Sequence, residues 1–238
     1  QQEKLIIKER HEAWENLARK LAHEIKNPLT PIQLTIDRLK SKYSERIEDH
    51  QKEDFTKSLK IIGKQIKQIE KLVNEFSDFA RMPKPILKDN NLVPLIKDNI
   101  NLIEELDKSI AISFDSNMSE IILNSDNEQL GRVFFNLIKN SIESIQDKKL
   151  NNVNFKGQID IILNENESCV DFIIVDNGMG FGMFTNNIKN ILNPYVTTKE
   201  KGTGLGLAIV NKTINDHNGT IGFVSIEDGA KIEIRFIK

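Results

Sequence analysis

Four short clusters carry residue types suited to phosphate and proton chemistry. The first is His23-Glu24-Ile25-Lys26-Asn27-Pro28. An imidazole with a carboxylate next to it and an amide one turn on can act as a nucleophile whose second ring proton has a place to go. The second is Asn136 and Asn140, four residues apart, with Lys139 between them and Glu143 beside them. Two amides on one helix face can offer oxygens to a hard cation such as Mg²⁺, which keeps water and phosphate oxygens as its other ligands. The third is Asp176-Asn177-Gly178-Met179-Gly180. Its carboxylate ends an apolar run on the inner face of a strand, where it must find a donor. The exocyclic amine of a purine would serve, and the glycines allow close backbone approach. The fourth is Gly202-Thr203-Gly204-Leu205-Gly206, which opens into a helix so that backbone N–H groups face an anion. Lys199 and Lys201 precede it and can add charge or simply be solvated.

Alone, each cluster has a plainer reading: a surface histidine on a coiled-coil helix, two solvated amides, a β-turn, a glycine-rich loop. The last is not the GxGxxG of a dinucleotide fold, and no GxxxxGK[ST] run is present.

The elements that must position these clusters follow from periodicity. Ile7, Trp14, Leu17, Leu21, Ile25, Leu29, Ile32, Ile36 and Leu39 form one stripe of a helix covering residues 1 to about 42. At about 100° per residue, His23 falls opposite that stripe and faces solvent, with Asn27 on the same side. Pro28 is expected to kink the helix just after the histidine. The charged segment Ser44–Asp54 reads as a connection. A second stripe, Phe55, Leu59, Ile62, Ile66, Ile69, Val73, Phe76 and Ala80, alternates spacings of four and three, a heptad repeat. Two such helices make a hairpin that cannot bury both stripes by itself, so two hairpins are expected to join as a four-helix bundle in a homodimer. Arg81-Met82-Pro83-Lys84-Pro85 ends the second helix as a linker.

Beyond Ile86 the pattern turns to mixed helix and strand. Leu92–Leu106 reads as a helix, and Ile110–Phe114 and Glu120–Asn124 read as strands. Asp126 caps a helix running to about Asp147, with Leu130, Val133, Phe134, Leu137, Ser141 and Ile145 on its apolar face. Lys148–Lys156 follows as a polar loop. Ile159–Leu163 and Cys169–Val175 are neighbouring strands, with Val170, Phe172 and Ile174 on the face of Asp176. A helix over Leu205–His217 stops at Asn218-Gly219, and Thr220–Ile226 and Lys231–Ile237 close a hairpin. Strands with helices on one face make an α/β two-layer sandwich after an all-α hairpin.

Composition narrows the classes. Thirty-three basic against 35 acidic residues give no bulk charge for nucleic acid. The single cysteine, Cys169, forms no internal disulfide framework and fits a reducing compartment. No Cys/His group has zinc spacing, and no apolar run approaches the ~18 residues of a membrane span. No signal peptide is visible. Gln1 falls inside the first helical pattern, so the chain is expected to be a piece of something longer.

Taken together and in order, the clusters resemble the motifs of two-component sensor histidine kinases. His23–Leu29 looks like the H box of their dimerisation and phosphotransfer domain, Asn136–Asn140 the N box, Asp176–Gly180 the G1 box and Gly202–Leu207 the G2 box. Asn193-Pro194-Tyr195-Val196-Thr197-Thr198-Lys199 resembles the F box within an ATP lid over residues 181–201. Asn193 departs from the acidic residue common before that proline. The runs HEIKNPLTPIQL and PYVTTKEKGTGLGLAIV are similar to the nitrogen-regulation, NtrY-type members. The resemblance implies domains at 1–82 and 87–238, dimerising and ATP-binding (the GHKL fold), joined by 83–86. It implies ATP and Mg²⁺ as cofactors, autophosphorylation of His23, and transfer to an aspartate on a response regulator receiver domain, NtrX-like or similar.

In that scheme Glu24 is the base and Asn27 positions a water for dephosphorylating the regulator. Asn140 ligates Mg²⁺, with Asn136 and Lys139 near the phosphates. Asp176 takes the adenine amine in a pocket shaped by Gly178 and Gly180. Tyr195, Thr198 and Lys199 belong to the lid, and Gly202, Thr203, Gly204, Leu205 and Gly206 form the phosphate-side turn. The piece would be a cytoplasmic region without membrane contact, from a protein anchored in the bacterial inner membrane. A phosphatase-dominant sensor, a GHKL-type ATPase and a silent dimerisation module remain as alternatives.

Overall fold

The computed structural model describes residues 2–43, 48–80, 82–106, 108–152, 154–181, 191–192, 196 and 204–238. The chain divides into two compact units at Pro83 and Lys84.

The first unit is a hairpin of α1 (Gln2–Tyr43) and α2 (Asp49–Ala80). α1 runs as one helix through Pro28 and Pro31, and Thr35 Oγ donates to the Pro31 carbonyl at 2.8 Å. α2 begins at Asp49, so residues 49–54 are helix and not connection. Glu, Lys and Gln there are good helix formers, and residues 51–54 are exposed, so no apolar face is needed. Each stripe splits in two. Leu59, Ile66 and Val73, seven apart, are buried, whereas Ile62 and Ile69, also seven apart, are 46% and 41% exposed. Across the hairpin Leu29, Ile36 and Leu39 pack with Phe55, Leu59 and Ile66. Leu21, Ile25 and Ile32 stay exposed, and Ala22, outside the expected stripe, is buried.

The second unit holds a five-stranded sheet in the order β2 (Ile110–Ser116), β4 (Gly157–Glu165), β5 (Cys169–Asp176), β7 (Gly229–Ile237), β6 (Gly219–Ile226). β2 and β4 are parallel, and the other neighbours are antiparallel. The helices α3 (Leu92–Leu106), α4 (Asn127–Asn151) and α5 (Gly206–Asp216) pack with the sheet around one core. Phe134 on α4 meets Phe172 on β5 with ring centroids 4.7 Å apart. The expected two-layer α/β sandwich is therefore the architecture.

Two local differences have clear causes. A strand β1 (Lys88–Asn91) pairs antiparallel with β3 (Ile122–Ser125), although Lys-Asp-Asn-Asn carries no strand signal. Asparagine side chains hold it: Asn90 Nδ2 donates to the Ser125 carbonyl at 2.6 Å, and Asn91 Oδ1 accepts from the Val93 and Ile121 amides. α4 also runs to Asn151, so residues 148–151 are helix and not loop. Lysines in a last turn suit the helix dipole, and Lys149 Nζ donates to Ser109 O and Oγ.

Asp126 caps α4 as expected, its Oδ1 accepting from the Gln129 amide at 3.0 Å while Oδ2 accepts from the Ile86 amide at 2.9 Å. The Asp126 amide in turn donates to Nε2 of buried His217 at 2.9 Å. His217 Nδ1 lies 2.7 Å from the Thr213 carbonyl, so Nδ1 carries the ring proton. α5 ends at Asp216, and just beyond it Asn218 sits at φ 56°, the left-handed stop that its Asn-Gly pair implies. Burial pushes the Asp126 carboxyl up, but amide bonds from Ile86, Gln129 and Glu128 outweigh this and hold it below the usual carboxylate value. Its contribution to stability is therefore present above about pH 4 and fades as pH falls through the lowered folded value. Asp126→Ala is expected to lower the unfolding free energy at pH 7 by about 1 kcal/mol. Urea titrations at pH 7 and pH 3 should show the gap between wild type and variant closing in acid.

Candidate functional site

The turn after β5 is built around one carboxylate. Strand alternation carries Val170, Phe172 and Ile174 into the core, and Asp176 with them at 5% exposure. Ser141 Oγ donates to Asp176 Oδ2 at 2.9 Å, and the Gly178 amide donates to Oδ1 at 2.9 Å. These donors meet the hydrogen-bonding requirement of the buried carboxylate.

α4 reads this turn along one stripe. Ser141, Ser144 and Lys148 are spaced three and four apart. Ser144 Oγ accepts from the Met179 amide at 2.9 Å, and Lys148 Nζ donates to the carbonyls of Asn177 and Gly178 at 2.8 and 3.1 Å. In the sequence Ser141 passes as part of the apolar face, Lys148 as loop, and Ser144 carries no signal. The spacing of Ser141, Ser144 and Lys148 could have singled them out once α4 was extended by a turn. Two of the glycines are demanded by this packing. A Cβ at Gly178 would lie 2.8 Å from the backbone carbon of Ser144. Gly180 has φ 67° and a Cβ there would lie 2.8 Å from the Gly229 carbonyl oxygen.

Higher on α4, Asn136 and Asn140 are half-buried at the edge of its apolar face, while exposed Lys139 pairs with Glu143 at 3.9 Å. Among the described residues no group of three His, Cys, Asp or Glu could hold a metal ion. The amides fit a hard cation whose other ligands come from phosphate and water. Leu205 is buried, and α5 starts at Gly206 with no side chain capping it. A Cβ on Gly206 would meet nothing within 4 Å, so packing does not demand a glycine there. A glycine in the first turn lets an anion approach the helix N-terminus closely. Asn193, Tyr195, Thr198, Lys199, Gly202 and Thr203 lie outside the described residues.

In the first unit His23, Glu24 and Asn27 are exposed on α1. Asn27 Nδ2 is 3.3 Å from His23 Nδ1, and Lys20 Nζ is 4.0 Å from Glu24 Oε1.

The "His Kinase A (phospho-acceptor) domain" matches residues 13–85, a stretch containing His23. The "Histidine kinase-, DNA gyrase B-, and HSP90-like ATPase" family matches residues 125–238, which contains Asn136, Asn140, Asp176 and Gly206. The chain belongs to the sensor histidine kinases. An NtrY-like sensor histidine kinase of Rickettsia prowazekii is 39% identical over 237 residues, 99% of this chain and 38% of the relative. The nitrogen regulation protein NtrY of Azorhizobium caulinodans is 37% identical over 97% of this chain and 29% of its own length. The chain thus spans less than two-fifths of these relatives. Among solved structures, the catalytic domain of histidine kinase ThkA is similar at 26% identity and TM-score 0.55, covering 64% of this chain and 95% of that one. ThkA in complex with the response regulator protein TrrA aligns over 97% of this chain and 64% of that one, at 24% identity and TM-score 0.65.

For the histidine kinase ATPase unit, Ser141→Ala removes a donor from a buried carboxylate. It is expected to cost about 1–3 kcal/mol of stability, read by urea denaturation, whereas Ser→Ala at the exposed Ser168 changes it little.

Proposed function

We propose that this chain is the autokinase part of a sensor histidine kinase: it transfers the γ-phosphoryl of ATP to His23 and then to a response regulator. The observation that carries the reading is the pairing in one chain of a solvent-facing His23, inside the phospho-acceptor match, with the Asp176 turn and open Gly206, inside the ATPase match. Asp176 receives the adenine amine, and Asn136, Lys139 and Asn140 face the phosphates with Asn140 as the Mg²⁺ ligand. When bound, the cation would supply neutralisation of phosphate charge. Gly204, Leu205 and Gly206 present amides to the phosphates, with Gly202 and Thr203 before them and Tyr195, Thr198 and Lys199 in the covering segment.

Histidine protonation is the chain's own part of the chemistry. With Asn27 donating to Nδ1, the ring proton sits on Nε2. Attack from Nε2 needs that proton on Nδ1, held by Glu24 or by Asn27 Oδ1 after its amide turns over. The nitrogen lone pair then forms the N–P bond, the bridging P–O bond to ADP breaks, and Glu24 takes the ring proton. Asn27 also positions water for hydrolysis of the phosphorylated regulator. The linker at 83–86 gives the ATP-binding unit, residues 87–238, the freedom to bring phosphate to His23 on residues 1–82.

The open heptad faces support a homodimer through the hairpin, since Leu21, Ile25, Ile32, Ile62 and Ile69 are 40–46% exposed. The partner is the receiver domain of a response regulator, NtrX-like given the NtrY relatives; ThkA forms a complex with the response regulator protein TrrA. The NtrY relatives support a nitrogen-regulation role. We place the chain in a protein anchored in the bacterial inner membrane; no described helix of this chain is long and apolar enough to cross one.

Incubation with γ-labelled ATP and Mg²⁺ is expected to label wild type with an acid-labile, alkali-stable phosphate that His23→Gln lacks. Nucleotide binding without label would overturn the autokinase reading in favour of a phosphatase or a silent module, and steady ATP turnover without label would favour a GHKL-type ATPase. Sedimentation should find a dimer, and Ile32→Glu, which puts charge on an open heptad position, should shift it to monomer.

A further inference from the structure

We infer that Lys148 is a positioning residue for the purine-reading turn, and that the β6–β7 turn is the opposing half of the same clamp. This rests on the proposal that the Asp176 turn binds nucleotide.

An ammonium has three donors, and Lys148 uses all three. Two go to the Asn177 and Gly178 carbonyls, and the third to Asp228 at the tip of the β6–β7 turn. The ammonium also lies 4.5 Å from the centre of the Phe155 ring, which shields it on a further side. The Lys148 side chain is 23% exposed, against 69% for Asp228. An exposed ion pair alone contributes little. Here the cation is drawn down onto two successive backbone carbonyls, and the pair with Asp228 fixes where it sits.

The glycine beside Asp228 explains why that turn can come so close. Gly229 has φ 120°, and a Cβ on it would fall 2.8 Å from Asn177 Cα and 2.7 Å from the Asp176 carbonyl carbon. Its own carbonyl oxygen fills the space where a Gly180 Cβ would stand. The β6–β7 turn therefore touches the backbone at Asp176, Asn177 and Gly180, while Lys148 holds the carbonyls of Asn177 and Gly178 from α4. With those carbonyls pointed at Lys148, the peptide planes on both sides of Gly178 are set. Its N–H is then left aimed at Asp176 Oδ1, the bond that orients the carboxylate. Lys148 acts on nucleotide through the turn.

Titration calorimetry with ADP, alongside ATP-dependence of autophosphorylation, tests this on wild type, Lys148→Met, Lys148→Arg and Asp228→Ala. Lys148→Met is expected to weaken ADP about ten-fold and to raise KM for ATP with kcat unchanged, because the phosphoacceptor end is untouched. Lys148→Arg, which keeps donors for two carbonyls, should recover most of the affinity. A Lys148→Met protein that is folded and binds ADP like wild type overturns the inference, as does a loss that Arg does not rescue. A wild type that fails to bind ADP removes the nucleotide proposal itself, a different result. If Lys148→Met does not fold, amide exchange in Asp228→Ala decides. Faster exchange at Gly178–Gly180 with β5 unchanged supports the clamp, and unchanged exchange overturns it.

Discussion

A carboxylate buried at the end of a central strand is costly unless donors meet it, and the second unit is arranged around that requirement. Asp176 is carried inward by strand alternation that the core needs for Phe172 and Ile174. Ser141 answers it from α4 and the Gly178 amide from the chain that follows. A Cβ at Gly178 would collide with Ser144 on α4, so α4, β5 and the turn are packed closely as well as tied by one charge. Ser144 and Lys148 extend the same contact along α4. The helix that carries Asn136 and Asn140 is thus also the helix that shapes the turn two and three turns further on.

The hairpin obeys a different constraint. A heptad stripe has two positions, and a single neighbouring helix covers one. Leu59 and Ile66 are covered by α1, while Ile62 and Ile69 are not. Exposed apolar residues at regular spacing mark an interaction surface more than scattered ones do. His23 sits beside buried Ala22 and is itself exposed, so the helix presents the imidazole outward without giving up its packing.

Much of this was legible in the sequence because it is periodic. The boundaries of α3, the Asp126 cap, the inward set ending at Asp176 and the Asn218 stop all follow from spacing and cap chemistry. The strand β1 was not, since its pairing depends on Asn90 and Asn91 side chains reaching residues more than thirty positions away. Nor were Ser144 and Lys148, for a serine on a helix edge and a lysine near a helix end look solvated until their acceptors are known. Which positions of each stripe face across the hairpin and which stay exposed does not follow from the spacing alone. The clusters at His23, Asn136–Asn140 and Asp176–Gly180 could be recognised by order and residue type, but not by which glycine serves packing and which leaves space.

Sheet order has a consequence for how this unit is made. β7 lies between β5 and β6, next to the strand that carries Asp176, yet it comes last among the described strands. Until its residues leave the ribosome, β5 has an open edge, and Gly229 is not there to back the turn at Asp176–Gly180. Domains form as units once their parts have been synthesised. A nascent chain stopped anywhere before β7 can therefore hold a complete helical hairpin and most of a core, but no finished turn at Asp176. The helical hairpin is therefore made, and free to fold, before the turn at Asp176 can be finished.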